Sequence, residues 1–288
     1  MSICFLGATL LFSCGHPAPK AMPKDSIKLD SVKHVVTKFQ KRTDTLAIPE
    51  DTIPKVVIPE GTIQVAEDKV DTTSKMKMLD NNCSYTQQDD VSPKDAKRSW
   101  KGIFHDKSNC YIKSTKIKFI RERSELDDEG QMTGWRLKCI DKDTCYQLIS
   151  GDDYIIEGPV KILKIEDFYY AGQKKEFNYG GIVYTLYTTG AKRNGKVYNF
   201  KIFLMATIKG HTFNQQIRSL GNDIALHNGG DNVDSIFIEF VGDIDGDKIP
   251  DFIIGDGGNF FGSSSLYLSK PAGDKAILKL VAYFSQSD

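Results

Sequence analysis

The chain has 288 residues, in which 38 basic side chains balance 38 acidic ones and 40% of residues are hydrophobic. That length suits one large domain or two small ones, and the composition is that of an ordinary soluble fold rather than a coiled coil or membrane bundle. A zero net charge supplies no global field for a polyanion, so no nucleic-acid partner is expected.

The first element is apolar. Ile3 to Phe12 is too short to span a bilayer but suits the core of a signal peptide, and no later stretch approaches the roughly 20 apolar residues of a membrane helix. It runs into Leu11-Phe12-Ser13-Cys14 and then Gly15, which resembles a bacterial lipobox. Phe12 and the lack of Lys or Arg before the apolar run depart from that pattern. The resemblance implies a lipoprotein signal segment over 1–14, lipidation of Cys14, and a partner membrane reached through an N-terminal lipid anchor. It also implies export to the bacterial cell envelope, on the periplasmic side or the cell surface.

From Gly15 to Asp80 the only aromatic is Phe39, and Pro17, Pro19, Pro23, Pro49, Pro54 and Pro59 interrupt the segment. Such a stretch buries too little apolar area to offset its ordering entropy. A disordered Pro/Lys/Asp/Thr-rich tether is expected over 15–80, with Lys55 to Val65 as the one piece that could instead dock as a strand.

Residues 81–288 change to short β-type runs separated by turn signals. Alternation marks Tyr111 to Ile120, Trp135 to Leu137 and Val160 to Ile165. Ile182 to Tyr187 and Val197 to Met205 form the clearest hairpin, joined through Asn194-Gly195, a pair that tolerates the positive φ of a tight turn. Phe200, Ile202 and Leu204 share one face of its second arm with Tyr198. Ser235 to Val241, Phe252 to Gly255, Ser265 to Leu268 and Ile277 to Phe284 follow as strands. Thr212 to Leu220 and Lys94 to Ser99 are the helical candidates. The expected fold is mostly β, a sandwich or partly closed barrel with few short helices.

The most specific string is Gly242-Asp243-Ile244-Asp245-Gly246-Asp247-Lys248-Ile249-Pro250-Asp251. Carboxylates at alternate positions of one loop repel one another unless a cation lies among them. Calcium, hard and tolerant of irregular oxygen shells, is the natural occupant. A helix-loop-helix calcium hand needs Gly at the sixth position and Glu at the twelfth, where this chain has Lys248 and Ile254. The string instead resembles the calcium loop of FG-GAP and VCBS-type repeats, D-x-D-G-D-x-x-x-D between two strands. The resemblance implies side-chain ligands from Asp243, Asp245, Asp247 and Asp251, and a carbonyl ligand from Ile249. The string occurs once, so no propeller is implied.

Four cysteines follow the lipobox, and an even number in an exported chain suggests disulfides. Cys139 and Cys145 flank a short polar turn and make one candidate pair, which leaves Cys83 with Cys110. Asp223, His227 and Ser219 or Ser263 are the best triad guess, without a GxSxG elbow to support it. Asp256 and Asn259 are placed beside the acidic loop or in a neighbouring one. Tyr169, Tyr170, Tyr184 and Tyr187 make either a sugar-stacking platform or sheet core. The reading is a non-catalytic binding or structural module at the envelope, with one structural calcium ion and a glycan or envelope protein as partner. The alternative is an envelope hydrolase whose active site sequence does not reveal.

Overall fold

A computed structural model of the chain describes residues 56–69, 74–86, 91–106, 109–123, 131–151, 154–165, 171–193, 196–220, 226–227, 235–257 and 261–287. The signal segment, Cys14 and most of the expected tether lie outside them. Strands are numbered in chain order. The first six are β1 (Ile63–Val65), β2 (Lys77–Asp80), β3 (Ser84–Tyr85), β4 (Trp100–Asp106), β5 (Asn109–Thr115) and β6 (Ile117–Glu122). Next come β7 (Gly134–Cys139), β8 (Thr144–Ser150), β9 (Gly158–Val160), β10 (Lys174–Tyr179), β11 (Ile182–Arg193) and β12 (Lys196–Ile208). The last are β13 (His211–Ser219), β14 (Leu226–His227), β15 (Ser235–Gly242), β16 (Asp251–Gly257), β17 (Phe261–Leu268) and β18 (Lys279–Ser287). Apart from two 3-10 turns, Pro93–Lys97 and Lys270–Ala272, the described residues carry no helix, and none long and apolar enough to cross a membrane.

The fold is all-β, in four sheets. One has the order β1-β13-β12-β11-β10, with β14 also on β12; a second is β15-β16-β17-β18; a third is β2-β8-β4-β5-β9; the fourth is β3-β7-β6. The β15–β18 sheet is the middle layer, as burial along β16 makes plain. Phe252 and Ile254 belong to a core shared with Phe200, Ile202 and Leu204 of β12, whereas Ile253 between them belongs to a core shared with Met78, Ile103 and Leu148. Side chains alternate across a strand, so a run of three large apolar residues is what a strand covered on both faces requires. All three are at most 1% exposed.

The hairpin forms as β11 and β12, with Tyr184 opposite Ala206 and Tyr187 opposite Phe203. Asn194-Gly195 lies outside the described residues. Phe200, Ile202 and Leu204 are buried together, but Asn199 adopts a φ of +52° and Tyr198 leaves their face for a half-exposed position.

Several expectations are corrected. Sheet structure starts before residue 81: β1, within the Lys55 to Val65 piece that could dock, lies parallel on β13, and β2 pairs with β8. Polar side chains hold the early segment. Gln64 accepts from Asn214 Nδ2 at 2.9 Å, and Asp68 from the Leu280 amide at 3.0 Å. Thr212 to Leu220 is strand β13 rather than helix. Its buried Gln215 accepts from the amides of Ile277 and Leu278 and donates to the Leu278 carbonyl. The helical candidate near Lys94 is a 3-10 turn. Tyr111 to Ile120 is not one strand, because the chain leaves one sheet after Thr115 and enters another at Ile117. Of Val160 to Ile165, only the end of β9 and an isolated bridge from Ile162 to Gly242 are β.

Candidate metal centre

The acidic loop joins β15 to β16 at one end of the middle layer, between two strands as the resemblance implies. Asp243 opens it and closes the turn. Its Oδ1 accepts from the amides of Gly246 (2.6 Å) and Asp247 (3.1 Å), and its Oδ2 from that of Lys248 (2.9 Å). Gly246 has a φ of +77°, and a Cβ there would sit 2.5 Å from Ile156 Cδ1. Both facts favour glycine at the position.

The neighbouring sheet braces the loop. Tyr179 Oη accepts from the Asp243 amide at 3.0 Å and donates to the Lys161 carbonyl at 2.9 Å. Gly180 lies so close that a Cβ on it would meet the Lys248 carbonyl oxygen at 2.5 Å. The turn after β10 is therefore packed on backbone of the acidic loop.

Asp243, Asp245 and Asp247 each bring one carboxylate oxygen within 4.8 Å of the others, and the group could hold a metal ion. Asp251 is not in that group. It is fully buried, and both oxygens are engaged by the chain: Oδ2 by the amides of Ile244 (2.6 Å) and Asp245 (3.1 Å), Oδ1 by the Ser269 amide (2.7 Å). Through these bonds Asp251 ties the loop to the end of β17. Ile249 lies beside the group, its amide donating to Asp247 Oδ1 at 2.8 Å.

Ser269, which sequence reading missed, sits among the carboxylates. Its Oγ is 2.9 Å from Asp247 Oδ1, 3.1 Å from Asp251 Oδ1 and 3.5 Å from Asp245 Oδ1. A hydroxyl carries one proton and can serve only one of these oxygens. The next residue donates its amide to Asp245 Oδ2 at 2.8 Å. The only sequence signal for this corner is Ser269-Lys270-Pro271 closing a strand, 18 residues beyond Asp251, and nothing in it points back to the loop.

Electrostatics bear on whether a cation fits. Burial first, then Asp247 and Asp243, push the Asp245 carboxyl up to about 6. Burial and Asp245 push Asp251 well above the ordinary carboxylate range. In both cases a proton takes up charge that a cation would neutralise. The Tyr184 hydroxyl is also buried and without a hydrogen-bond partner, and Asp247 is the foremost charge acting on it. A metal-bound water would satisfy such a group. A recess of about 290 Å³, lined by Asp247, Ile249, Ser269, Lys270 and His211, gives solvent a way in. The residues present could hold a metal ion.

Other expected groupings separate. Ser219 donates to Glu67, and Ser263 to Asp256, which is also paired with Arg218, so neither serine faces a histidine through these bonds. Asp256 lies along β16, away from the acidic loop, and Asp223, Asn259, Tyr169 and Tyr170 are outside the described residues. Tyr184 and Tyr187 are core, and Tyr187 donates to Asn214 Oδ1 at 2.7 Å.

The four cysteines of 81–288 are free thiols, not disulfides. Cys110, Cys139 and Cys145 are packed in the apolar core, where a reduced thiol behaves as a small hydrophobe. Cys139 and Cys145 do lie side by side. Burial, then Cys139, pushes the Cys145 thiol far up, and burial pushes Cys110 up to about 11.

Comparison with protein-family models, curated proteins and solved structures gave no significant match.

Proposed function

We propose that this chain is a lipid-anchored envelope protein whose β domain binds one structural calcium ion and acts as a non-catalytic binding or structural module. The observation that carries the reading is the convergence of Asp243, Asp245 and Asp247 on one point, on a loop held by Asp251, Ser269 and Tyr179. Calcium is favoured over magnesium because the donors are oxygens of an irregular loop and magnesium insists on octahedral geometry. The ion's part would be to neutralise three carboxylates where three layers of strand meet, a stabilising role with no reaction at the site. The lipobox-like Leu11 to Cys14 supports the envelope address, and a glycan or another envelope protein remains the proposed partner class.

Thermal melting tests the calcium role. A ligand bound only by the folded state stabilises it by about 2.7 kcal/mol at 100 times its dissociation constant. Extracellular calcium modules bind at roughly 0.1–1 mM, so about 10 mM calcium should raise the melting temperature by several degrees over EDTA. Magnesium should do less, and Asp245→Ala should abolish the response. An unchanged melting temperature across that range would count against the reading.

A further inference from the structure

Away from the acidic loop, two β-bulges from different sheets face one another across the seam beside the middle layer. Between β4 and β8 the register slips so that Ile103 and Phe104 oppose Gln147 and Cys145, leaving Tyr146 as the extra residue. Between β15 and β16 it slips between Ile238 and Phe240, leaving Glu239 extra. Bulges re-aim side chains that regular alternation would send elsewhere. Here they bring Gln147 and Glu239 together beside Asp80, the last residue of β2.

Glycine makes the room. A Cβ on Gly255, in β16, would lie 2.3 Å from Glu239 Oε1, so no other residue lets Glu239 lie across that strand. There its Oε1 accepts from Ser264 Oγ of β17 at 2.8 Å. Gln147 is 3% exposed, its Nε2 donates to Asp80 Oδ1 at 2.5 Å, and its amide is close enough to the Glu239 carboxyl to act on it.

Two acceptors are then left over. Glu239 Oε2 and Gln147 Oε1 are both buried and, among the described residues, both without a donor. Leaving buried polar atoms unpaired is costly, and native proteins rarely do so. One proton removes both deficits. A carboxylic acid and a primary amide form a closed pair, in which the amide N–H donates to the acid carbonyl oxygen and the acid O–H donates to the amide oxygen. The second amide hydrogen is the one Asp80 receives.

We propose that Glu239 is held as a neutral carboxylic acid in a cyclic pair with Gln147, a proton-operated latch joining the β2–β8 side of the molecule to the middle layer. Asp80 faces it from β2, the Tyr146 phenol and Gln147 from β8, and Ser264 from β17; the His105 ring of β4 meets the Tyr146 ring edge-on, centroids 6.0 Å apart. Among the described residues Asp80 is the one charge acting on Glu239, and it is negative. Burial, reinforced by Asp80, accordingly pushes Glu239 up to about 7. Tyr146 is pushed up to about 12 by burial and the same two carboxylates, and stays neutral. The folded chain keeps the Glu239 proton up to about 7 and the unfolded chain loses it near 4.5. The latch therefore contributes fully below 4.5 and is lost as pH rises through 7.

The test uses the full-length chain at saturating, constant calcium, so that failure of the calcium reading does not bear on it. With glutamate carboxyls labelled with carbon-13, NMR titration should show one group with a midpoint near 7. That resonance should vanish in Glu239→Gln and shift down in Asp80→Asn, which removes the opposing charge. From pH 5 to 8 the wild-type folding equilibrium constant should fall roughly 70-fold more than that of Glu239→Gln. Should that variant not fold, the wild-type titration and the Asp80→Asn shift still decide. The latch is refuted if every glutamate titrates below about 5, if the high midpoint ignores Asp80→Asn, or if the two folding constants share one pH dependence.

Discussion

Asp251→Ala separates a scaffold from a ligand. The substitution leaves three buried backbone amides, those of Ile244, Asp245 and Ser269, without their acceptor. An unsatisfied buried donor costs about 1–3 kcal/mol, so the gross loss is roughly 3–9 kcal/mol. Removing a carboxyl that burial and Asp245 disfavour as an anion offsets part of this. A net loss of about 3 kcal/mol or more is expected, a large share of the ~5–15 kcal/mol that stabilises a typical domain. Urea unfolding followed by tryptophan fluorescence should show it both in calcium and in EDTA. A variant that never folds falls on the same side. If Asp251→Ala equals wild type in EDTA and differs only in calcium, Asp251 is a ligand and no more, and the scaffold assignment is wrong.

Calcium affinity should rise with pH through about 6, because Asp245 holds a proton that the ion must displace; calorimetry at pH 5 and 7 checks this, and a flat affinity would count against it. Limited proteolysis should spare Ile63 to Asp68, which β13 and β18 hold, so cleavage within that span would contradict the docking of β1. At pH 8 the Cys110 thiol should react with iodoacetamide roughly a hundredfold more slowly than an exposed thiol, since burial moves it from 9.0 to about 11. Mass spectrometry of protein from its native membrane should find a diacylated Cys14 at the N-terminus; a soluble chain retaining residues 1–13 would remove the anchor.

What sequence reveals here follows from the range of each interaction. Local alternation was enough for an all-β fold and for the β11–β12 hairpin, where partners lie close along the chain. The acidic loop was legible because its carboxylates lie within nine residues of one another and their mutual repulsion is a local fact. That Lys55 to Val65 could dock as a strand was legible too, but not where: the partners of β1 in β13 are about 150 residues away, and its anchors, Gln64, Glu67 and Asp68, are polar. Thr212 to Leu220 was misread as helical, because the amides of Asn214, Gln215 and Gln216 that suit it to a buried strand are satisfied by backbone and side chains far away in sequence. Ser269 and Glu239 were missed for a related reason. One reaches its site from another strand end, and the other is aimed by a bulge that depends on a partner strand's register.

Calcium binding measured by isothermal titration calorimetry on the full-length chain, beside Asp243→Asn and Asp245→Asn, is the most direct test of the central claim. The account predicts one ion per wild-type chain and none at the same concentrations for either variant, because each replaces a charged carboxylate in the group of three by a neutral amide. Wild-type protein that binds no calcium at millimolar concentration, or variants that bind it as well as wild type, would contradict it.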